Sequence, residues 1–131
     1  MGSFSGDIDL RALSDGDHWK TLDPIAYKDD AGEALLVPAG FITDLASVPR
    51  VFWNILPPFG KYDGAAILHD WLYSTQQFTR SKSDGLLLEA LESEGVSWLT
   101  RWVIYLGVRA GGWAAWDGHT QENISKIGHK K

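Results

Sequence analysis

The hydrophobic period of the chain changes once along its length, and that change decides what it can fold into. Up to about residue 44 the period is two. Phe4, Ile8, Leu10 and Ala12 alternate with Ser5, Asp7, Asp9 and Arg11, the pattern of a half-buried strand, and Asp15-Gly16 then supplies a turn that makes a hairpin. Residues 19–22 and 25–28 continue as short strands around Pro24, Asp29-Asp30-Ala31-Gly32 turns into residues 33–37, and Pro38-Ala39-Gly40 turns into 41–43. This stretch predicts a small antiparallel meander whose apolar face needs a cover.

The cover comes from the second half, where the period is 3.6. Pro49 suits the first turn of a short helix through Ile55, and Pro57-Pro58 ends it. A helix over 62–77 places Gly64, Ile67, Leu68, Trp71 and Leu72 on one face and Tyr62, Ala66, His69, Asp70 and Tyr73 on the other. Ser81-Lys82-Ser83-Asp84 resembles a capped start for a helix with Leu87, Leu88 and Leu91 as its core stripe, stopped by Gly95. In a third long helix Leu99, Val103, Leu106, Ala110 and Trp113 recur at spacings of four and three and are expected to pack inward, with Arg101, Tyr105 and Arg109 on another face. The expected fold class is α+β, a small N-terminal antiparallel sheet covered by about three C-terminal helices. Residues 1–116 form a single domain and 117–131 a polar C-terminal tail.

Composition removes whole classes of function. A chain of 131 residues with 44% hydrophobic residues has the size and apolar content of one packed domain. It has no cysteine, so disulfides, thiolate metal sites and cysteine nucleophiles are excluded together. A net charge of −5 argues against nucleic acid as a partner, because phosphate binding draws on clustered Lys and Arg. Arg101 and Arg109 interrupt the longest apolar stretch, so no transmembrane span is expected, and residues 1–7 lack the basic and apolar regions of a signal peptide. Nucleophile-elbow, Walker, HExxH, dinucleotide and EF-hand signatures are missing.

What remains is His69-Asp70-Trp71-Leu72-Tyr73. His69 and Tyr73 lie one helical turn apart and Asp70 lies three before Tyr73, so all three can look into one pocket. A functional reading makes His69 a general base for water and Asp70 an oxygen ligand for a divalent cation. The plainer reading is a polar helix face, with Asp70 solvated and His69 bonded to a carbonyl. Asp84 sits on the core stripe of its helix, so its carboxylate is expected at an interhelical seam with Arg80, Arg101 or His69 as partner, or else as an N-terminal cap. Asp44, Ser47 and Arg50 occupy a strand-to-helix corner, where capping explains the first two and an anionic ligand or a carboxylate suits the third.

Residues 41–50, Pro57-Pro58-Phe59-Gly60-Lys61-Tyr62, Ala65-Ala66, the His69 to Tyr73 segment, and Arg80 with Asp84 together resemble the phage and prophage family called domain of unknown function 1353. The resemblance implies a phage-encoded accessory protein associated with virion, tail or assembly, with phage structural proteins as partners, made in the host cytoplasm and carried in the virion. Separately, His69-Asp70-Trp71-Leu72-Tyr73 is similar to the H-D-x-x-Y helix of phospholipases A2. There the His is the base for water, the Asp holds calcium and a second Asp from an antiparallel helix orients the His, a role that would fall to Asp84. Read as a catalytic pocket of Asp44, His69, Asp70, Tyr73 and Asp84, the residues suggest a divalent-metal-assisted hydrolase acting on an envelope lipid ester or a peptidoglycan bond, with His69, Asp84 and Tyr73 catalytic, Asp70 and Asp44 as ligands for calcium or zinc, and Asp44, Ser47 and Arg50 binding. The two readings, enzyme and non-enzymatic assembly module, stand side by side.

Overall fold

The computed structural model describes residues 2–5, 10–14, 18–43 and 63–120. Its first half holds six short strands: β1 (Ser3–Ser5), β2 (Leu10–Ala12), β3 (Trp19–Thr21), β4 (Ile25–Lys28), β5 (Ala34–Val37) and β6 (Ile42–Thr43). Its second half holds the helices α1 (Asp63–Thr75), α2 (Arg80–Ser93) and α3 (Trp98–Gly111), followed by a short helix over residues 113–120, here α4. The α+β class read from the sequence is the class observed.

The single expected meander is instead two three-stranded antiparallel sheets, ordered β1-β4-β5 and β2-β3-β6. The expected long first strand is divided: β1 leaves to pair with β4, setting Phe4 opposite Tyr27, while β2 pairs with β3, setting Arg11 opposite Lys20. Both expected hairpins form. In the β4-β5 turn the Asp29 carboxylate accepts from the Glu33 backbone N–H (2.8 Å), and Gly32 takes the left-handed conformation, φ 86°, that the tight turn demands. Thr21 ties β3 to the segment between the sheets: its hydroxyl donates to the Pro38 carbonyl (2.9 Å) and accepts from the Phe41 N–H (3.0 Å).

Alternation along β4 and β5 turns Ile25, Tyr27, Leu35 and Val37 into the core. Tyr27 then crosses to α2, where its hydroxyl donates to Glu89 Oε1 (2.5 Å). Gly2 lies against that bond, and a Cβ there would come within 1.8 Å of the Tyr27 hydroxyl oxygen, so only glycine fits.

α1 is the central element. Residues 64–70 are all buried, as are Leu72 and Tyr73, so from Gly64 to Tyr73 the helix presents no solvated face. Its N-terminus is capped from a distance: the Glu94 carboxylate accepts from the N–H groups of Gly64 (3.3 Å) and Ala65 (2.6 Å), putting negative charge where the helix dipole favours it. α2 begins at Thr79, whose side chain accepts from the Lys82 N–H, and not at the Ser81 to Asp84 segment. It ends as expected at Gly95, φ 84°, with Val96 N–H bonded to the Leu91 carbonyl and Gly95 N–H to that of Glu92, the paired bonds of a Schellman motif.

α3 is rotated from the expected phase. Ile104 and Val108 are its buried residues, with Arg101 and Arg109 also turned toward the body of the protein, while Leu99 (66% exposed), Val103 and Leu106 (59%) face outward. Ser97 caps its start. The expected short helix over 49–55 lies outside the described residues. No helix among the described residues is long and apolar enough to cross a membrane.

The rotation gives a direct test of the core. Ile104→Ala and Leu87→Ala should each cost about 2–5 kcal/mol. Leu106→Glu should leave a cooperative thermal melt in place, whereas Ile104→Glu should abolish it. Equal tolerance of both glutamates in melts followed by circular dichroism would contradict the observed phase.

Candidate functional site

Antiparallel neighbours α1 and α2 bring His69 and Asp84 face to face. Both side chains are fully buried, and His69 Nε2 lies 2.7 Å from Asp84 Oδ1. The same oxygen accepts from the Tyr73 hydroxyl (2.6 Å), which the i, i+4 spacing places directly over His69, with the two rings tilted at a centroid distance of 4.2 Å. The second oxygen, Oδ2, accepts from Arg109 Nη1 on α3 (2.9 Å), and Arg80 Nη1 stands 3.6 Å away. Arg80 also donates to the carbonyls of Val108 (3.2 Å) and Arg109 (3.2 Å) near the end of α3.

These contacts set the protonation states. Burial pushes the Asp84 carboxyl up, but the hydrogen bonds from His69, Tyr73 and Arg109 outweigh it and hold the group below the usual carboxylate range. Burial and the adjacent carboxylate push the Tyr73 phenol well above its usual value, so it remains a donor. An ionised Asp84 can only accept, so His69 Nε2 is the donor in the bond between them. Nδ1 is buried and has no hydrogen-bond partner, in contrast to the usual rule that buried polar atoms are paired.

α4 closes over this cluster. Trp116 packs edge-on to Tyr73, with centroids 5.1 Å apart. The approach depends on Gly112, where a Cβ would stand 2.5 Å from the Val108 carbonyl and 2.7 Å from the Tyr73 hydroxyl. Gln76 adopts φ 51°, a conformation rare outside glycine, and its amide holds the other side of α4 by donating to the Trp116 carbonyl (2.8 Å) and Thr120 Oγ1 (2.7 Å). Residues 117–120 continue α4 as helix.

Asp70 points elsewhere. It is buried but not solvated: Oδ2 accepts from the Thr43 hydroxyl on β6, and Oδ1 is 4.0 Å from His119 Nε2. Among the described residues no group of three or more His, Cys, Asp or Glu side chains could hold a metal ion, so the described ligands alone do not make the calcium or zinc cage that the sequence suggested. Asp44, Ser47 and Arg50 lie outside the described residues.

The sequence brought His69, Tyr73 and Asp84 to one seam, with Arg80 as a neighbour, and the structure does the same. It does not bring Arg101 there: that side chain pairs with Glu92 (3.3 Å) and the Val96 carbonyl. Asp84 is not a cap, because it lies a full turn inside α2. Sequence reading missed Arg109, Gly112 and Gln76. The signal for Arg109 was its four-residue spacing from Tyr105 and Arg101, which marks a second coherent face on α3.

A family model described as "Protein of unknown function (DUF1353)" matches residues 19–108, a span that contains every residue of the His69–Asp84 cluster except Arg109. The chain belongs to this family. No curated protein and no solved structure gives a significant match. Family membership carries no activity, so a functional reading has to come from the cluster itself.

The depressed Asp84 pKa makes a signed prediction. A group whose folded pKa is lowered contributes stability that is present above its unfolded pKa and lost as the pH falls through the folded value. Stability should therefore hold above about pH 4 and fall below it, and Asp84→Asn should flatten that acid limb while lowering stability at neutral pH. Urea melts from neutral pH down to about pH 2 read both effects; an unchanged acid limb in Asp84→Asn would show that the carboxylate is not ionised in the fold.

Proposed function

We propose that this family member is a hydrolase in which His69 is the general base and Asp84 its orienting carboxylate. One observation carries the reading: His69 Nε2 is fixed on Asp84 while Nδ1 is buried and has no hydrogen-bond partner. A histidine kept only for packing would ordinarily satisfy both nitrogens.

The chemistry follows from that arrangement. A water placed against Nδ1 gives it a proton as the water oxygen attacks a carbonyl carbon, and the imidazolium formed is stabilised by the Asp84 charge 2.7 Å away. His69 then returns the proton to the leaving oxygen or nitrogen as the bond to carbon breaks. Tyr73, Arg109 and Arg80 hold the Asp84 carboxylate and keep it ionised through the cycle. The substrate class that suits this step is a carboxylic ester or amide. In the phage setting implied by the sequence motifs, the bond would belong to an envelope lipid or to peptidoglycan, and the protein would serve as a virion or tail accessory.

A second reading rests on a different observation. The Asp84 carboxylate takes contacts from α1, α2 and α3 at once, so the cluster would also serve as a packing device in a non-enzymatic assembly module. The two readings separate on His69→Ala. For the hydrolase, wild type cleaves ester-linked phospholipid vesicles or purified peptidoglycan, and the variant loses about 10²-fold or more in turnover while remaining folded. For the packing device, wild type turns over neither substrate and the variant loses about 1–3 kcal/mol in thermal melts, the cost of stranding a buried polar partner. Melts with and without EDTA, run beside both assays, read any contribution of a divalent cation.

A further inference from the structure

The Asp84 cluster holds more positive charge than its carboxylate neutralises. Arg109 Nη1 stands 2.9 Å and Arg80 Nη1 3.6 Å from the same oxygen, Oδ2, and neither guanidinium pairs with a second carboxylate among the described residues. Burial and the hydrogen bond to Asp84 keep the Tyr73 phenol protonated and so uncharged. Two cations therefore meet one anion, an excess of one unit before any charge on His69 is counted.

That surplus reaches the surface. Asp84 is fully buried, but the Arg80 side chain is 22% exposed and that of Arg109 is 34% exposed. Asp84 takes a hydrogen bond from Arg109 Nη1 alone, out of the five N–H donors that the fork carries. Arg109 Nε and Nη2 make no hydrogen bond among the described residues. They are not sealed in either, because His69 Nδ1 is the one side-chain atom among those residues that is both buried and unpaired. Arg80 has a structural task as well, donating through Nη1 and Nη2 to the carbonyls of Val108 and Arg109 at the end of α3. Its Nε is left in the same unpaired, unburied condition.

The needs of Asp84 do not account for these outward donors. Two neighbouring guanidinium forks with free N–H groups suit the oxygens of a phosphate, which accept paired, charge-assisted hydrogen bonds. One unit of excess charge matches a singly charged phosphodiester. The net charge of −5 on the whole chain repels a polyanion such as nucleic acid but leaves a single phosphate able to bind.

We propose that Arg109 and Arg80 form a binding subsite for one phosphate group of the molecule on which His69 acts. As part of substrate recognition the subsite rests on the hydrolase reading of His69; as a phosphate site it stands on the two arginines alone.

Titration of the wild type with inorganic phosphate, followed by calorimetry and by the NMR signals of the arginine Nε–H groups, tests it first. A Kd on the order of 1 mM is expected, with the Arg80 and Arg109 signals moving and that of Arg101, already paired with Glu92, staying still. Arg109→Lys keeps a donor for Asp84 and removes the fork, so it should bind phosphate about tenfold more weakly while its circular dichroism melt stays cooperative. If that variant does not fold, the wild-type signals decide alone. No saturable binding, or silent Arg80 and Arg109 signals, would overturn the subsite, and acetate bound as tightly as phosphate would overturn its assignment to phosphate. Phosphatidylcholine vesicles separate the sources: co-sedimentation reversed by free phosphate points to a lipid headgroup, and phosphate binding without co-sedimentation to a soluble phosphate ester, either of which supports the subsite. Phosphate binding by a wild type that cleaves neither vesicles nor peptidoglycan would keep the phosphate site and overturn the hydrolase reading instead.

Discussion

A carboxylate with no access to water organises this fold. Asp84 is fully buried, and an ion in that position costs several kcal/mol unless donors surround it. His69 and Tyr73 come from α1, Arg80 from its own helix and Arg109 from α3, so the requirement of one side chain fixes the relative placement of three helices. Gly112 belongs to the same constraint, since any larger residue would force α4 off the Tyr73 hydroxyl.

The orientation of α3 is a consequence. Two faces of that helix are apolar enough to pack: one carries Leu99, Val103 and Leu106, the other Ile104 and Val108. Each buried aliphatic side chain contributes about 1.5–3 kcal/mol, so the faces differ by roughly one residue. Only the second brings Arg109 to Asp84. Removing one partner from a buried ion pair costs about 3–5 kcal/mol, enough to decide between the faces. The sequence pattern put Leu99, Val103 and Leu106 inward and did not single out Ile104 and Val108, because hydrophobic periodicity alone carries no information about where a distant carboxylate needs a cation.

Other parts were legible for local reasons. The β2–β3 pairing, the turn from Asp29 to Gly32 and the stop at Gly95 are set by residues close in sequence, and each forms where expected. The His69, Tyr73 and Asp84 convergence was legible because helical spacing aligns the first two, and a carboxylate on a leucine stripe has to face a neighbour. What was illegible is long-range: the division of the first strand between two sheets, the cap that Glu94 places on α1, and the burial of residues 64–70, which turned an apparently solvated polar face into an interior one.

The functional account rests on which nitrogen of His69 carries the proton. Ring-nitrogen NMR of ¹⁵N-histidine-labelled protein reads this directly, with His69→Gln used to assign the resonances. The account predicts a protonated Nε2 held by Asp84 and a bare Nδ1 available to take a proton. The reverse tautomer, with hydrogen on Nδ1 and a bare Nε2, would contradict it and leave the cluster without a base.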